Sequence, residues 1–251
     1  MARAAISIIL GLVMMVWFLP GLNAQAQQTA AAKAPSQPAP THDLSGVWNT
    51  VGFLGNAWTK EPAPMTPWAA AIFKNVKSSN AGTYTLDETN DPVITNCFPP
   101  GVPRIYMQPF PFQIVQTPSE VIFLYEYDHT VRHVALDQPV PTDPDPTYMG
   151  TSVGHWEDAT TLDVETVGFN EKTWLDRVGT PHSDQLHVTE KLHRVDKDNM
   201  DITVTMTDSK ALTKPWGNTV HYRLHPDWKI MEQVCPDNVS FTNFETPDKK
   251  K

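Results

Sequence analysis

Glu190 and Arg194 share one face of a stretch with a period of two. Between Leu186 and Arg194 the residues Leu186, Val188, Glu190, Leu192 and Arg194 alternate with His187, Thr189, Lys191 and His193. If the polar set meets water, both charges point inward with the leucines. Such burial is costly unless the charges are paired or line a wet cavity. Trp228, Ile230, Glu232 and Val234 repeat the pattern opposite Lys229, Met231 and Gln233, which makes Glu232 a second inward carboxylate. Arg132, between Thr130 and Val134, is a further inward cation if its strand faces the same way. Burial raises a carboxyl pKa and a nearby arginine lowers it, so carboxylates in unequal surroundings can serve as one acid and one base. The competing account is a structural ion pair between Glu190 and Arg194.

His155 and Glu157 flank Trp156 in Gly154-His155-Trp156-Glu157. Two residues apart on a strand, they share a face about 6.6 Å apart, close enough to act on one ligand. Pairing of Trp156 with Leu162 would turn Trp156 inward and His155 outward, and a slip of one residue would reverse that. His182 lies in Pro181-His182-Ser183-Asp184, a rim loop in which its ring can exchange a proton with something in a mouth. Contiguous His182, Ser183 and Asp184 cannot form a nucleophile–base–orienter triad, and no Gly-x-Ser-x-Gly elbow accompanies them. Metal spacing is unfavourable: His129 and His133 on an extended segment stand roughly 13 Å apart. No metal site is expected. The sequence also has no phosphate loop and no dinucleotide fingerprint, so no cofactor is expected.

These groups need strands to hold them. Val121, Phe123, Tyr125 and Tyr127 alternate with Ile122, Leu124 and Glu126; Leu162, Val164 and Thr166 alternate with Asp163 and Glu165; Ile202, Val204 and Met206 alternate with Thr203 and Thr205. Short turns at Thr117-Pro118-Ser119, Asp158-Ala159-Thr160, Asp196 to Asn199 and His225-Pro226-Asp227 punctuate the series and suit antiparallel neighbours. Pro67 to Lys77 reads as the one short helix, with Thr66 as N-cap and proline in the first turn. The fold expected is mainly β, an antiparallel up-and-down barrel whose closure removes exposed edges. Cys97 to Phe112 and Pro139 to Pro146 are its Pro-rich rims. Trp58, Trp68, Trp174 and Trp216 fall in loop-like stretches, where they either line a mouth or plug the ends.

Composition narrows the class. The 251 residues carry 23 Pro against 12 Gly and a net charge of −9, which disfavours a helical bundle and a nucleic-acid partner. Arg3, the apolar run Ala4 to Leu19, Pro20-Gly21 and Ala24-Gln25-Ala26 read as a cleaved signal peptide over residues 1–26. Residues 27–42 are a disordered Ala/Gln/Pro-rich tether, and residues 43–251 are one barrel domain without a membrane span. The expected location is periplasmic or secreted. There Cys97 and Cys235, the two cysteines, are either a disulfide or a pair of buried thiols.

Ser45-Gly46-Val47-Trp48 is similar to the Gly-x-Trp strand of lipocalins. Longer pieces resemble a large, largely uncharacterised family of secreted bacterial proteins with a lipocalin-like, calycin-like β-barrel. They are Thr66-Pro67-Trp68, Gly101-Val102-Pro103-Arg104, Gly150 to Glu157, Leu162 to Phe169, Pro181-His182-Ser183, Leu186 to Glu190 and Pro215-Trp216. The chain departs from that pattern at Gln138-Pro139, Asp158-Ala159-Thr160 and Glu165, where the family has Asp-Gly, Gly-Asp-Thr and Asp. The resemblance implies export and a β-barrel and carries no chemistry.

The reading that results is an exported barrel holding a small polar ring-containing molecule in an aromatic-rimmed cavity. Its chemistry would be metal-independent acid–base work of a lyase, isomerase or hydrolase. Glu190 or Glu157 would be the base, His155 or His182 the acid, and Arg132 or Arg194 the support for developing negative charge. Trp156, Tyr125 and Glu232 would contact the substrate. A carrier that orients the same molecule without changing it is the alternative, and the pattern leaves the oligomeric state open.

Overall fold

The structure is a computed structural model that describes residues 37–52 and 54–235. The expected signal peptide, residues 1–26, and most of the expected tether, residues 27–42, lie outside the described residues. The nine strands close into a barrel in sequence order: β1 (Gly46–Thr50), β2 (Phe112–Gln116), β3 (Glu120–Tyr125), β4 (Val131–Leu136), β5 (Thr151–Trp156), β6 (Thr161–Val167), β7 (His187–Arg194), β8 (Asn199–Thr207) and β9 (Trp216–Leu224). The last strand returns to the first, with Trp48 opposite Leu224 and Thr50 opposite Tyr222.

The alternation in the sequence becomes the two faces of the wall. Val188, Glu190, Leu192 and Arg194 of β7 are buried, as are Met200, Ile202, Val204 and Met206 of β8. Three of the four short turns act as hairpin links, joining β2 to β3, β5 to β6 and β7 to β8. The fourth does not. His225-Pro226-Asp227 leaves β9 for the irregular segment 228–235, where His225 stacks on Trp228 at 3.7 Å. Glu232 is therefore exposed and off the sheet, so it is not an inward carboxylate.

One pair of neighbours, β4 and β5, is parallel, with Val134 opposite Ser152 and Leu136 opposite Gly154. Strict up-and-down alternation cannot close a ring with an odd number of strands, because the first and last would then run the same way. The crossover that a parallel pair needs is usually a helix. Here the Pro-rich rim takes that part, bridging Thr147 to Phe169 and entering β5 at Gly150. Gly150 has φ +70°, and an added Cβ would meet the Thr166 side chain at 2.6 Å.

Among the described residues two short α-helices lie outside the wall. In α1 (Pro67–Phe73) the Thr66 hydroxyl accepts the Ala69 N–H, so the helix starts as expected but stops four residues before Lys77. In α2 (Pro92–Thr95) Asp91 caps Val93 in the same way, with proline again in the first turn, so the described residues hold a second short helix beside the one expected. Trp58 and Trp216 are buried, their indole N–H groups bonded to the Leu175 carbonyl and the Thr59 hydroxyl, and Trp216 opens β9 instead of lying in a loop.

Cys97 and Cys235 are joined in a disulfide across 138 residues of chain. A loop of that size restricts the unfolded chain strongly. Replacing both cysteines by serine is expected to lower the unfolding free energy by about 2–4 kcal/mol. Guanidinium denaturation of the two proteins side by side measures it.

Candidate functional site

The barrel's polar centre is assembled from facing strands. Phe123 of β3 lies opposite Arg132 of β4, Ser152 of β5 opposite Thr166 of β6, and Val164 of β6 opposite Glu190 of β7. Arg132, Ser152, Thr166 and Glu190 of this row meet one another inside the wall. Arg132 Nη1 donates to Glu190 Oε1 at 2.9 Å and Nη2 donates to Oε2, a bidentate ion pair with both side chains buried. Arg132 also donates from Nε to Ser152 Oγ at 3.0 Å and from Nη2 to Thr166 Oγ1 at 2.8 Å. Its guanidinium lies over the Phe123 ring, 5.5 Å from the centroid. Burial, the largest single influence, would lower the Arg132 pKa, but the Glu190 charge, the Tyr106 and Tyr125 phenols and the hydrogen bond to Glu190 together outweigh it and hold the guanidinium well above its ordinary value.

A phenol from outside the wall completes the cluster. Tyr106 sits in a short 3-10 helix, Arg104–Met107, within the rim 97–112, and all four residues are buried. Its hydroxyl donates to Glu190 Oε1 at 2.6 Å and accepts from Arg132 Nη1 at 2.8 Å. Its ring meets Phe112, Tyr125 and Tyr222 nearly edge-on, with centroids 6.3, 6.3 and 6.4 Å away. The centre at this level is thus filled by side chains, where a hollow interior was expected. The hydroxyls of Tyr125 and Tyr222 are buried and meet no hydrogen-bond partner among the described residues. Burial raises the Tyr125 pKa to about 12, and burial followed by the Glu190 charge pushes Tyr106 well above the ordinary phenol value. Burial also raises Tyr222. All three remain neutral phenols at ordinary pH.

The other expected site residues scatter. Arg194 points inward but does not reach Glu190, because four residues along a strand span about 13 Å. It donates to the Asp43 and Lys197 carbonyls at 2.6 and 2.7 Å and lies over Trp48. Trp156 pairs with Leu162, which sends His155 to the outer surface, 3.9 Å from Asp163. Glu157 is also outside, in an ion pair with Lys191. Trp156 stacks on His42 at 4.7 Å, near the described end of the tether. His182 is buried with both nitrogens engaged: Nδ1 contacts the Ser183 carbonyl at 3.0 Å and Nε2 the Thr173 hydroxyl at 2.7 Å. Burial lowers its pKa, so the ring is neutral and committed. The Ser183 hydroxyl donates to Asp208 at 2.8 Å, which excludes a triad with its neighbours. Among the described residues no three His, Cys, Asp or Glu side chains are grouped to hold a metal ion.

Tyr222 was recoverable from the alternation Val220, Tyr222, Leu224 in β9. Tyr106 was not, because its rim segment has no period. Comparison of the chain with family models, curated proteins and solved structures returns no match.

Glu190→Gln leaves a buried guanidinium short of its counter-charge and is expected to cost about 3–5 kcal/mol of stability. Arg132→Met combined with Glu190→Leu is expected to cost less than either single change, as a double-mutant cycle in urea would read. A second expectation concerns alkali. Tyrosines in the unfolded chain ionise near pH ~10, whereas Tyr125 in the barrel does so at about 12. The stability this difference provides is complete below pH ~10 and is lost as pH rises toward about 12. Unfolding free energies across that range should fall more steeply for the natural chain than for Tyr125→Phe.

Proposed function

We propose that the chain is an exported barrel that binds a small polar ring-containing molecule without transforming it, and that the molecule is phenol-like. The observation that carries this reading is the pair of unmet buried hydroxyls, Tyr125 and Tyr222, beside a phenol ring that already fills the centre. An unpartnered buried hydroxyl costs stability. Two of them, close to an ionised arginine–carboxylate pair, are the groups a bound phenol or a further hydroxyl would satisfy. Tyr106 differs from Phe112, Phe123, Tyr125 and Tyr222 in coming from the rim and not from a strand, so it can leave its place without opening the sheet. A free phenol in that place would bond Glu190 and Arg132 as Tyr106 does now.

The acid–base reading has less support. Both oxygens of Glu190 already accept from Arg132, Oε1 also from Tyr106, and the Thr166 hydroxyl stands 3.5 Å from Oε2. His155 is on the outer surface and His182 is fully engaged elsewhere. The carrier reading needs none of them to move a proton. Export draws on the signal-like residues 1–26 and agrees with a disulfide.

Calorimetric titration with p-cresol tests the reading. The natural chain is expected to bind it, and Tyr106→Ala to bind it more tightly because the internal ring no longer competes. Tyr125→Phe and Tyr222→Phe should keep or gain stability while binding more weakly by roughly tenfold. Equal affinity of Tyr106→Ala for toluene and p-cresol would reveal a mere void and overturn the proposal, as would chemical conversion of the p-cresol.

A further inference from the structure

Tyr106 reaches the barrel centre from a unit, residues 91–110, that is braced within itself. Both terminal nitrogens of Arg104 donate to Asp91, at 2.8 and 2.5 Å, and both side chains are buried. The Phe98 N–H donates to the Pro92 carbonyl at 3.3 Å, the Ile105 N–H to the Gly101 carbonyl at 2.9 Å and the Gln108 N–H to the Ile105 carbonyl at 3.2 Å. These bonds join α2 to the short helix that presents Tyr106, so the two shift together. On one side the unit is not closely packed: a cavity of about 290 Å³ is lined by its Ile94, Arg104 and Phe110 and by Leu86, Asn80 and Tyr127 beside it. The unit therefore has room to shift there.

A covalent cross-link fastens the unit to the wall. Cys97 is bonded to Cys235, and Cys235 is seated on the connection from β3 to β4: its N–H donates to Asp128 Oδ1 at 3.2 Å, and Gln233 Oε1 accepts the Asp128 N–H at 2.6 Å. The two sulfurs belong to residues of unequal access. Cys235 is 4% exposed, whereas Cys97 lies at the surface. Cys97 also has φ +53°, in the left-handed region that a residue with a Cβ keeps only when its surroundings hold it there. Disulfides that are exposed or held under strain are the labile ones, open to exchange with thiols. Without the cross-link, Tyr106 is kept in place by its bonds to Glu190 and Arg132, by its ring contacts, and by the Trp174 ring over Arg104 at 5.3 Å.

We infer that the Cys97–Cys235 disulfide is a redox latch on the Tyr106 plug: an external dithiol opens it, and the freed unit withdraws the ring from Glu190 and Arg132. The use of such a latch rests on the phenol-binding reading above; its movement does not. A thiolate of the dithiol attacks the sulfur of Cys97, the S–S bond breaks, and Cys235 leaves as a thiolate that takes up a proton. The second thiol of the reductant then displaces Cys97 from the mixed disulfide. Two electrons and two protons pass to the protein, and the dithiol ends as its own disulfide. A ligand that competes with Tyr106 for the centre gains apparent affinity in proportion to the fraction of chains whose centre is vacated.

Hydrogen exchange of the full chain, with and without dithiothreitol under native conditions, reads the latch directly. In the oxidised chain the amides of Phe98, Ile105, Tyr106 and Gln108 are expected to be protected about as strongly as those of β6 to β8, which report opening of the whole barrel. After reduction they are expected to be at least about tenfold less protected than those of β6 to β8. Cys97→Ser with Cys235→Ser should behave as the reduced chain and be indifferent to dithiothreitol. Calorimetry with p-cresol should give about tenfold tighter binding to the reduced chain than to the oxidised one, and no difference between the two states of Tyr106→Ala. A disulfide that dithiothreitol leaves intact in the folded chain, rim amides that stay as protected as the wall, or unfolding of the whole barrel on reduction would each overturn the latch. Binding of p-cresol with equal strength in the two states would overturn it too and leave the phenol reading standing. Rim opening with p-cresol bound in neither state would support the latch and retire the phenol reading.

Discussion

The buried pair of Arg132 and Glu190 is the constraint around which the barrel is arranged. Removing two charges from water is expensive, and their mutual attraction offsets that only with good geometry and with the remaining lone pairs and protons satisfied. The wall meets that condition strand by strand. Ser152 takes Arg132 Nε, Thr166 takes Nη2, and the Tyr106 hydroxyl stands between Nη1 and Glu190 Oε1. Each partner comes from a different element, so the registers of β4 to β7 and the seating of the rim are fixed by one set of hydrogen bonds. A slip of one residue in any of those strands would turn its polar group to the outer face. The aromatic rings around the pair keep water out, which strengthens the attraction and makes any unmet hydroxyl there costly.

Closure imposes a second constraint. An odd number of strands admits a ring only if at least one neighbouring pair runs parallel, and β4 and β5 supply that pair. The connection between them has to run back from one end of the barrel to the other, and its prolines stiffen it for that path without a helix. The opposite demand falls on the rim 97–112, which dips inward to deliver Tyr106. One Pro-rich stretch carries the chain along the barrel and the other fills it, so similar composition serves two different purposes.

Much of the wall was legible in the sequence because side chains alternate with a period of two. That rule placed Glu190, Arg194 and Tyr125 inside and supplied three hairpin turns. It also contained the reason that Glu190 and Arg194 cannot touch, since the same rise per residue separates them. What it could not supply was the partner across the barrel: Arg132 reaches Glu190 through the curvature of four strands, which no local pattern encodes. His155 shows the same limit, because its facing hung on whether Trp156 pairs with Leu162, a matter of register. Tyr106 and Arg104 were hidden more deeply, in a segment whose conformation is set by packing and by the ion pair to Asp91. Glu232 misled because alternation of residue types also arises in chain that forms no strand.

The link between Cys97 and Cys235 joins the start of the inward rim to a point just beyond β9, and β9 itself is the neighbour of β1. A chain is delivered from its N-terminal side, whether by a ribosome or through a channel. Strand β1 therefore keeps an open edge until nearly all the described residues have followed it, and the rim is fastened covalently no earlier. During that interval the molecule is a curling ribbon with an accessible concave side. The seam shuts where the sheet began, and whatever lies in the middle at that moment is enclosed with it.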